Sequence, residues 1–289
     1  MSRTVKAVPT RPSYLGIGAQ KCASTWLHRI LSEHPEIAVP DVKELDFFSY
    51  CYDHGYQWYE RRFAAEGAAR VRGEISPSYF CEPAVPARVA RYMPDAKILL
   101  SLRDPVERAL SNHRHEVREG HFTGEDLSFE AGLQNNPMYI EQGLYATHLR
   151  NWLRHFPRER ILIVLMEDVQ SKPRAVCRQV YAFLGVDPNF VPTGLVERYN
   201  RSFANRSAAL ARIKDAMYGL TRLPGMRWLW QAAAGTGLRS AYRGLNNVPS
   251  SDVIPRPHAR TLAQLRQRFE PEVRELEHMI GRSLQTWRA

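Results

Sequence analysis

The sequence predicts an α/β fold with a mostly parallel central sheet flanked by helices. Two observations carry this. Apolar runs of strand length, at Tyr14–Gly18, Val71–Ile75, 96–102 and 160–165, alternate with segments of helical periodicity. The last two runs are apolar without interruption through Ile98-Leu99-Leu100 and Ile161-Leu162-Ile163-Val164-Leu165, as strands covered on both faces are. The helical segments between them fall at 25–34, Val85–Tyr92, 106–119, 145–155 and 174–184. Such lengths demand crossover connections, hence parallel strands. Pro35, Pro94 and Pro157 mark helix ends, and Pro105 suits a first helical turn.

Beyond about residue 195 the texture changes. The stretch 200–212 is polar and basic and shows no strand pattern. The stretch 217–245 is rich in Leu, Trp and Gly and reads as a helical packing layer, a lid, an acceptor-site wall or a membrane-surface helix. Residues 257–287 read as a final amphipathic helix or helix pair, with Leu262, Leu265, Phe269, Val273, Leu276, Met279 and Ile280 at helical spacing. The expected organisation is a flexible segment 1–12 and one domain over 13–289. Within it, 13–195 forms the α/β core and 196–289 a mainly helical part.

The 289 residues carry 40 Lys and Arg against 30 Asp and Glu, a formal net charge of +10. That balance suits an anionic ligand, nucleic acid or an acidic membrane surface and does not choose between them. No run of 18 apolar residues exists, so no transmembrane helix is expected. The first 13 residues are basic but lack the apolar core of a secretory signal. Cys22, Cys51, Cys81 and Cys177 are scattered without metal-ligand spacing, which points to a reduced, cytoplasmic setting.

The most informative stretch is Gly16-Ile17-Gly18-Ala19-Gln20-Lys21-Cys22-Ala23-Ser24-Thr25, which leads into Trp26-Leu27-His28-Arg29-Ile30-Leu31. Strand, tight loop and helix form a P-loop-like phosphate seat, because outward backbone N–H groups and the helix dipole favour an anion there. Lys21 adds a point charge, and Ser24 and Thr25 add hydroxyl donors. A Walker A loop needs Gly-x4-Gly-Lys-Ser/Thr, whereas here Gln20 precedes Lys21 and the hydroxyls follow it by three and four residues. That departure points away from ATP and GTP hydrolysis. Cys22 reads either as a thiol activated at a helix start or as a small buried residue.

A second anion signal follows the third strand, in Leu102-Arg103-Asp104-Pro105-Val106-Glu107-Arg108-Ala109-Leu110-Ser111. Ligands of doubly wound sheets bind at strand C-termini. Arg103 leaves the sheet edge with a planar fork suited to phosphate, and Ser111 lies about two helical turns further on. The alternative is an arginine bonded to Asp104 or Glu107 at a helix start. Two cradles in one sheet suggest a ligand with two separated phosphate groups.

These residues resemble a family. Gly-x-Gln-Lys-x-x-Ser-Thr, then Arg-Asp-Pro-x-x-Arg-x-x-Ser, are similar to the nucleotide signatures of sulfotransferases that use 3′-phosphoadenosine 5′-phosphosulfate (PAPS). The group concerned includes the heparan sulfate N- and 3-O-sulfotransferases and their soluble bacterial relatives. The likeness continues through Lys43-Glu44-Leu45-Asp46-Phe47-Phe48, Gly73-Glu74-Ile75-Ser76-Pro77-Ser78-Tyr79, Gly143-Leu144-Tyr145 and Phe183-Leu184-Gly185. It covers roughly 13–190, and the order and spacing of the motifs are its strength.

The resemblance implies that the first loop (Gln20, Lys21, Cys22, Ala23, Ser24, Thr25 and Trp26) binds the 5′-phosphosulfate. It implies that Arg103 and Ser111 bind the 3′-phosphate, and that no divalent metal is needed. Lys21 would stabilise the leaving phosphate. Glu44 stands at the position of the family's catalytic carboxylate, before Phe47 and Phe48, which would wall the site. Glu74 is the runner-up base. Arg206, with Arg201 and Asn205, is the candidate for closing over the 3′-phosphate, and His113 and His115 for lining the acceptor cleft. The 3-O-sulfotransferases carry His where this chain has Asp46 and Lys where it has Ile75, so the expected acceptor is not heparan-like. The reaction expected is sulfuryl transfer to a hydroxyl, less readily an amine, of a small-molecule, glycan or lipid-linked acceptor, with possible peripheral membrane contact.

Two rivals remain. A kinase-like nucleotide-binding protein lacks support from a Walker Gly-Lys-Ser/Thr. A basic nucleic-acid-binding protein is disfavoured because the charge is spread along the chain without a recognisable module, so no nucleic-acid partner is expected.

Overall fold

The structure is a computed structural model. It describes residues 11–63, 69–196, 203–205, 247–249 and 253–288. Five strands form one sheet: β1 (Tyr14–Gly18), β2 (Ile37–Ala38), β3 (Val71–Ile75), β4 (Lys97–Leu102) and β5 (Ile161–Leu165), in the order β2-β3-β1-β4-β5. Every pairing is parallel. β1 lies at the centre and all five of its residues are buried. Crossovers are made by α1 (Ser24–Glu33), α2 (Tyr56–Glu60), α3 (Val85–Tyr92), α4 (Pro105–Glu119), α5 (Phe129–Asn135), α6 (Met138–Glu141) and α7 (Tyr145–Leu153). After β5 come α8 (Met166–Ser171) and α9 (Pro173–Leu184). The four strands and five helices expected from periodicity are present, with ends within two residues of expectation. The two-residue β2 and the short α2, α5, α6 and α8 carry too few periods to show in the sequence.

The chain divides into two compact units, one of 1–108, 141–199 and 266–289, the other of 109–140 and 200–265. In the first, α1 and α9 bury Leu27, Ile30, Leu31, Val176, Val180 and Leu184 against Tyr14, Ile75, Leu99 and Val164 of the sheet. Each such side chain contributes about 1.5–3 kcal/mol on burial. Tyr181 on α9 ties this layer down by donating its hydroxyl to the Ile30 carbonyl at 2.7 Å. The C-terminal helix, Ala259–Ile280, is one continuous helix through Pro271 and buries Phe269, Val273 and Leu276. Its Glu272 accepts from the Thr147 backbone N–H and hydroxyl at 3.0 and 2.6 Å.

In the second unit the expectation of no strand in 200–212 is corrected. Phe203–Asn205 (β6) pairs antiparallel with Asn247–Pro249 (β7). Three residues are too few for an alternating pattern, and the partner lies over forty residues away. The stretch 217–245 and residues Arg201 and Arg206 lie outside the described residues. Among the described residues, no helix is long and apolar enough to cross a membrane.

Close approach at the sheet centre dictates two glycines. A Cβ on Gly73 would meet the Tyr14 carbonyl oxygen at 2.3 Å, and one on Gly16 would meet Ile75 Cγ1 at 2.5 Å. These residues pair across the β1–β3 register, Tyr14 with Gly73 and Gly16 with Ile75. Gly73→Ala is therefore expected to cost about 2–3 kcal/mol through overpacking, read from the denaturant midpoint. A loss below about 0.5 kcal/mol would contradict this register.

Candidate active site

The loop after β1 is fixed at its start by neighbouring strand ends. Ala19 N–H donates to the Ser101 carbonyl at 2.7 Å, and Ser101 Oγ donates to the Gly18 carbonyl at 3.0 Å. Phe80 N–H donates to the Ile17 carbonyl at 2.9 Å. Beyond this anchor Lys21 and Ala23 take left-handed backbone conformations, with φ of 66° and 68°. For residues bearing a Cβ that conformation costs about 1–2 kcal/mol each. Alternation into the left-handed region turns successive N–H groups towards one concavity, the geometry of an anion nest. No side chain caps the start of α1, and its first turn holds no acidic residue. The helix start thus presents uncompensated positive potential.

Gln20, Lys21, Ala23, Ser24 and Thr25 are half-buried around this concavity. Cys22 points inward: its Sγ lies 3.7 Å from the Tyr145 hydroxyl and 3.5 Å from the Gln20 carbonyl. Burial pushes the Cys22 thiol up to about 11, so it stays protonated at neutral pH. The reading of Cys22 as a small buried residue is the one the structure favours. Trp26 is buried too, its indole N–H donating to the Leu195 carbonyl at 3.3 Å. Its backbone N–H in the first turn, not its ring edge, is what it can offer a ligand.

Arg103 follows β4, its side chain 19% exposed, and forms an ion pair with Glu107 at 2.9 Å. Asp104 caps α4, its Oδ1 accepting from Val106 and Glu107 N–H at 2.8 and 3.0 Å. The arginine-to-helix-start alternative weighed from the sequence is thus realised at Glu107. The ion pair is exposed on the Glu107 side, so exchanging that partner for a phosphate costs little. Ser111 lies two turns further along α4, half-buried, in the second unit. His113, in the same unit, is committed to structure, its ring nitrogens 3.0 Å from the Tyr139 hydroxyl and the Leu127 carbonyl. That removes it from the acceptor-cleft candidates. His115 faces Arg118 and Glu119 on its own helix.

Glu44 and Asp46 form the third part of the site. Both backbones are left-handed, with φ of 64° and 51°, so this segment and the phosphate loop share the same unusual conformation. The Glu44 side chain is 44% exposed and paired with Lys43. His28, one turn beyond Ser24 on α1, feels both Lys43 and Glu44. Burial first, then the Lys43 cation, hold its imidazole below the ordinary value, with Glu44 opposing. Its Nδ1 is buried and has no hydrogen-bond partner among the described residues. Asp46 N–H donates to Ser76 Oγ at 3.0 Å and Ser76 N–H to the Gly16 carbonyl at 2.9 Å, so the Glu44 segment is carried on the strand end beside the β1 loop. Asp46 accepts from Ser78 Oγ at 2.6 Å, and burial pushes its carboxyl up, with Glu44 adding to the shift.

Two expectations are corrected here. Glu74 does not face the site: it is 2% exposed and its oxygens are engaged by Leu45 N–H, Ser76 Oγ and the Tyr79 hydroxyl at 3.1, 2.6 and 2.5 Å. An acceptor hydroxyl cannot reach it. Phe47 and Phe48, expected to wall the site, are instead packed in the interior, being 1% and 0% exposed. Phe47 stacks on Tyr59 at 4.4 Å, and Phe48 meets Tyr79 edge-on at 5.7 Å. They are the apolar anchor of the Glu44 segment. His28 and Asp46 are further candidate residues of this site that the motifs did not point to. The signal for His28 was its position one helical turn after Ser24.

A profile described as "Sulfotransferase domain" matches residues 12–208. The chain belongs to the sulfotransferase domain family. Human heparan sulfate glucosamine 3-O-sulfotransferase 3B1 is 34% identical over 181 residues, 61% of this chain and 46% of that protein. Human bifunctional heparan sulfate N-deacetylase/N-sulfotransferase 2 is 30% identical over 196 residues, 61% of this chain and 22% of that protein. The chain therefore spans less than half the length of these curated relatives. The crystal structure of a sulfotransferase from Alicyclobacillus acidocaldarius is similar over 96% of this chain and 99% of that one, at 28% identity and a TM-score of 0.66. The sulfotransferase match covers the phosphate loop, the Glu44 segment and the Arg103 strand end together. Among the described residues no group of three or more His, Cys, Asp and Glu is placed to hold a metal ion.

Proposed function

We infer that this chain is a PAPS-dependent sulfotransferase acting on a hydroxyl of a small-molecule or glycan acceptor. The observation that carries the reading is the uncapped α1 start behind left-handed Lys21 and Ala23, in a chain whose residues 12–208 match the sulfotransferase domain. Residues 13–195 carry the donor site. The residues fit a phosphosulfate: backbone N–H groups of 21–26 and the hydroxyls of Ser24 and Thr25 supply donors, and Lys21 supplies charge. Arg103 is the group for the 3′-phosphate, with Ser111 on α4 assigned by family likeness. Arg206 is assigned on the same ground.

PAPS supplies an activated sulfuryl group, which moves from its phosphate oxygen to the acceptor oxygen and leaves 3′-phosphoadenosine 5′-phosphate (PAP). In such a loose, in-line displacement charge grows on the leaving oxygen. Lys21 neutralises that charge, and the loop amides hold the sulfuryl oxygens without reorganising. Glu44 takes the proton of the attacking hydroxyl. Asp46 and Glu44 place two carboxylates beside the acceptor, which disfavours a polyanionic acceptor by like-charge repulsion. A cytoplasmic setting belongs to this reading and is supported by four cysteines held as free thiols.

The test is ligand-dependent melting. PAP at a hundredfold excess over its Kd is expected to stabilise the chain by about 2.7 kcal/mol, with ADP giving a clearly smaller shift because it lacks the 3′-phosphate. Equal shifts for PAP and ADP, or none, would overturn the nucleotide assignment. Salt-sensitive DNA or RNA binding without any response to PAP would favour the nucleic-acid reading instead.

A further inference from the structure

Three consecutive pieces of geometry converge on the segment that carries Glu44. Leu45 N–H donates to Glu74 Oε2 at 3.1 Å. Asp46 N–H donates to Ser76 Oγ at 3.0 Å, and that hydroxyl donates onward to the same Glu74 oxygen at 2.6 Å. Phe48 N–H donates to the Tyr79 oxygen at 3.3 Å, and the Tyr79 hydroxyl donates to Glu74 Oε1 at 2.5 Å. One buried carboxylate at the end of β3 thus gathers, directly or through one hydroxyl, three backbone N–H groups of residues 45–48.

We propose that Glu74 is a positioning residue that acts through Glu44: with Ser76 and Tyr79 it clamps the 45–48 backbone and so holds Glu44 at its proton-accepting position. The role rests on the reading of Glu44 as the proton acceptor. The clamp has a specific task, since residues 44 and 46 both stand in left-handed conformations that Cβ-bearing residues leave unless the surroundings over-determine them. Backbone N–H groups 45, 46 and 48 are the handles by which they are over-determined. The chemistry matches as well. A carboxylate accepts on both oxygens and donates nothing, so every donor aimed at it is satisfied, and Ser76 and Tyr79 are left able to accept from the backbone. Glutamine at the same place retains only one oxygen and introduces an N–H₂ among donors. Burial pushes the Glu74 carboxyl up, while the hydrogen bonds from Ser76, Tyr79 and Leu45 oppose it.

The experiment uses Glu74→Gln and Ser76→Ala in the full chain, each alone and combined with Glu44→Gln. Two readouts are taken. Hydrogen exchange of the 44–50 segment is expected to rise about tenfold in Glu74→Gln, with 16–30 unchanged. Sulfate transfer from PAPS to the best acceptor in a panel of phenols, aliphatic alcohols and sugars is expected to fall about tenfold or more in turnover, with PAP affinity held within about twofold. In the Glu44→Gln background the same substitutions are expected to cost less than about twofold, because the group they position is already gone. A merely structural role would let the losses multiply instead, and that result overturns the proposal. So does unchanged exchange at 44–50. If Glu74→Gln does not fold, Ser76→Ala, which removes the Asp46 N–H partner and keeps the carboxylate, is read by the same criteria. No transfer by the unmodified chain would overturn the sulfotransferase reading, and the exchange measurement would then decide the clamp by itself.

Discussion

Lys21→Ala is expected to lower sulfate transfer by about 10³-fold or more, the larger of two site effects. Removing a single neutral donor from a preorganised anion hole costs about 10²–10³ in rate, and Lys21 carries a full charge at the atom where negative charge grows. The backbone argument points the same way. Lys21 is held at φ 66°, an expense only a tightly specified position sustains. PAP binding is expected to weaken far less than turnover, because the 21–26 amides and Arg103 remain. Single-turnover conversion of PAPS to PAP with a working acceptor is the measurement. A loss below about tenfold would remove Lys21 from the leaving-group role.

Glu44→Gln is expected to lower turnover by about 10²–10³-fold while leaving PAP affinity within about twofold. Glutamine keeps the volume and the polar contacts of the side chain but accepts no proton at neutral pH. The Glu44 backbone stays clamped through Leu45, and the Lys43 partner loses an exposed ion pair of small stabilising value, so folding is unaffected. Undiminished turnover would move the proton to Asp46, not Glu74. Asp46 is the neighbouring carboxylate pushed towards greater basicity, whereas Glu74 is enclosed on every oxygen.

How much was legible follows from the range of the interactions involved. The β1 loop was readable because strand, loop and helix are contiguous, and each announces itself by local periodicity. The strand-end position of Arg103 was readable for the same reason, and so was the alternative that it binds Glu107, a neighbour at helical spacing. The orientation of Glu74 was not. Its fate depends on Leu45 twenty-nine residues away and on the Tyr79 hydroxyl, and alternation along a five-residue strand buried on both faces gives no outward side to read. Phe47 and Phe48 read from the sequence as walls of the site because an aromatic pair beside a candidate carboxylate fits that place as well as an interior anchor. Only the stacking on Tyr59 decides it. The left-handed conformations at Lys21, Ala23 and Glu44 left no trace either, since none of these is glycine, asparagine or aspartate.

By itself the sequence determined that the chain builds a parallel sheet whose central strand ends in a tight turn leading into a helix, and that a second cationic strand end stands beside it. Period and composition fix these, because each is settled within about one helix or strand length. The tertiary structure alone decided which carboxylate is presented and which is spent on holding it. That choice lies in hydrogen bonds and burial between segments about thirty residues apart, which no local pattern encodes.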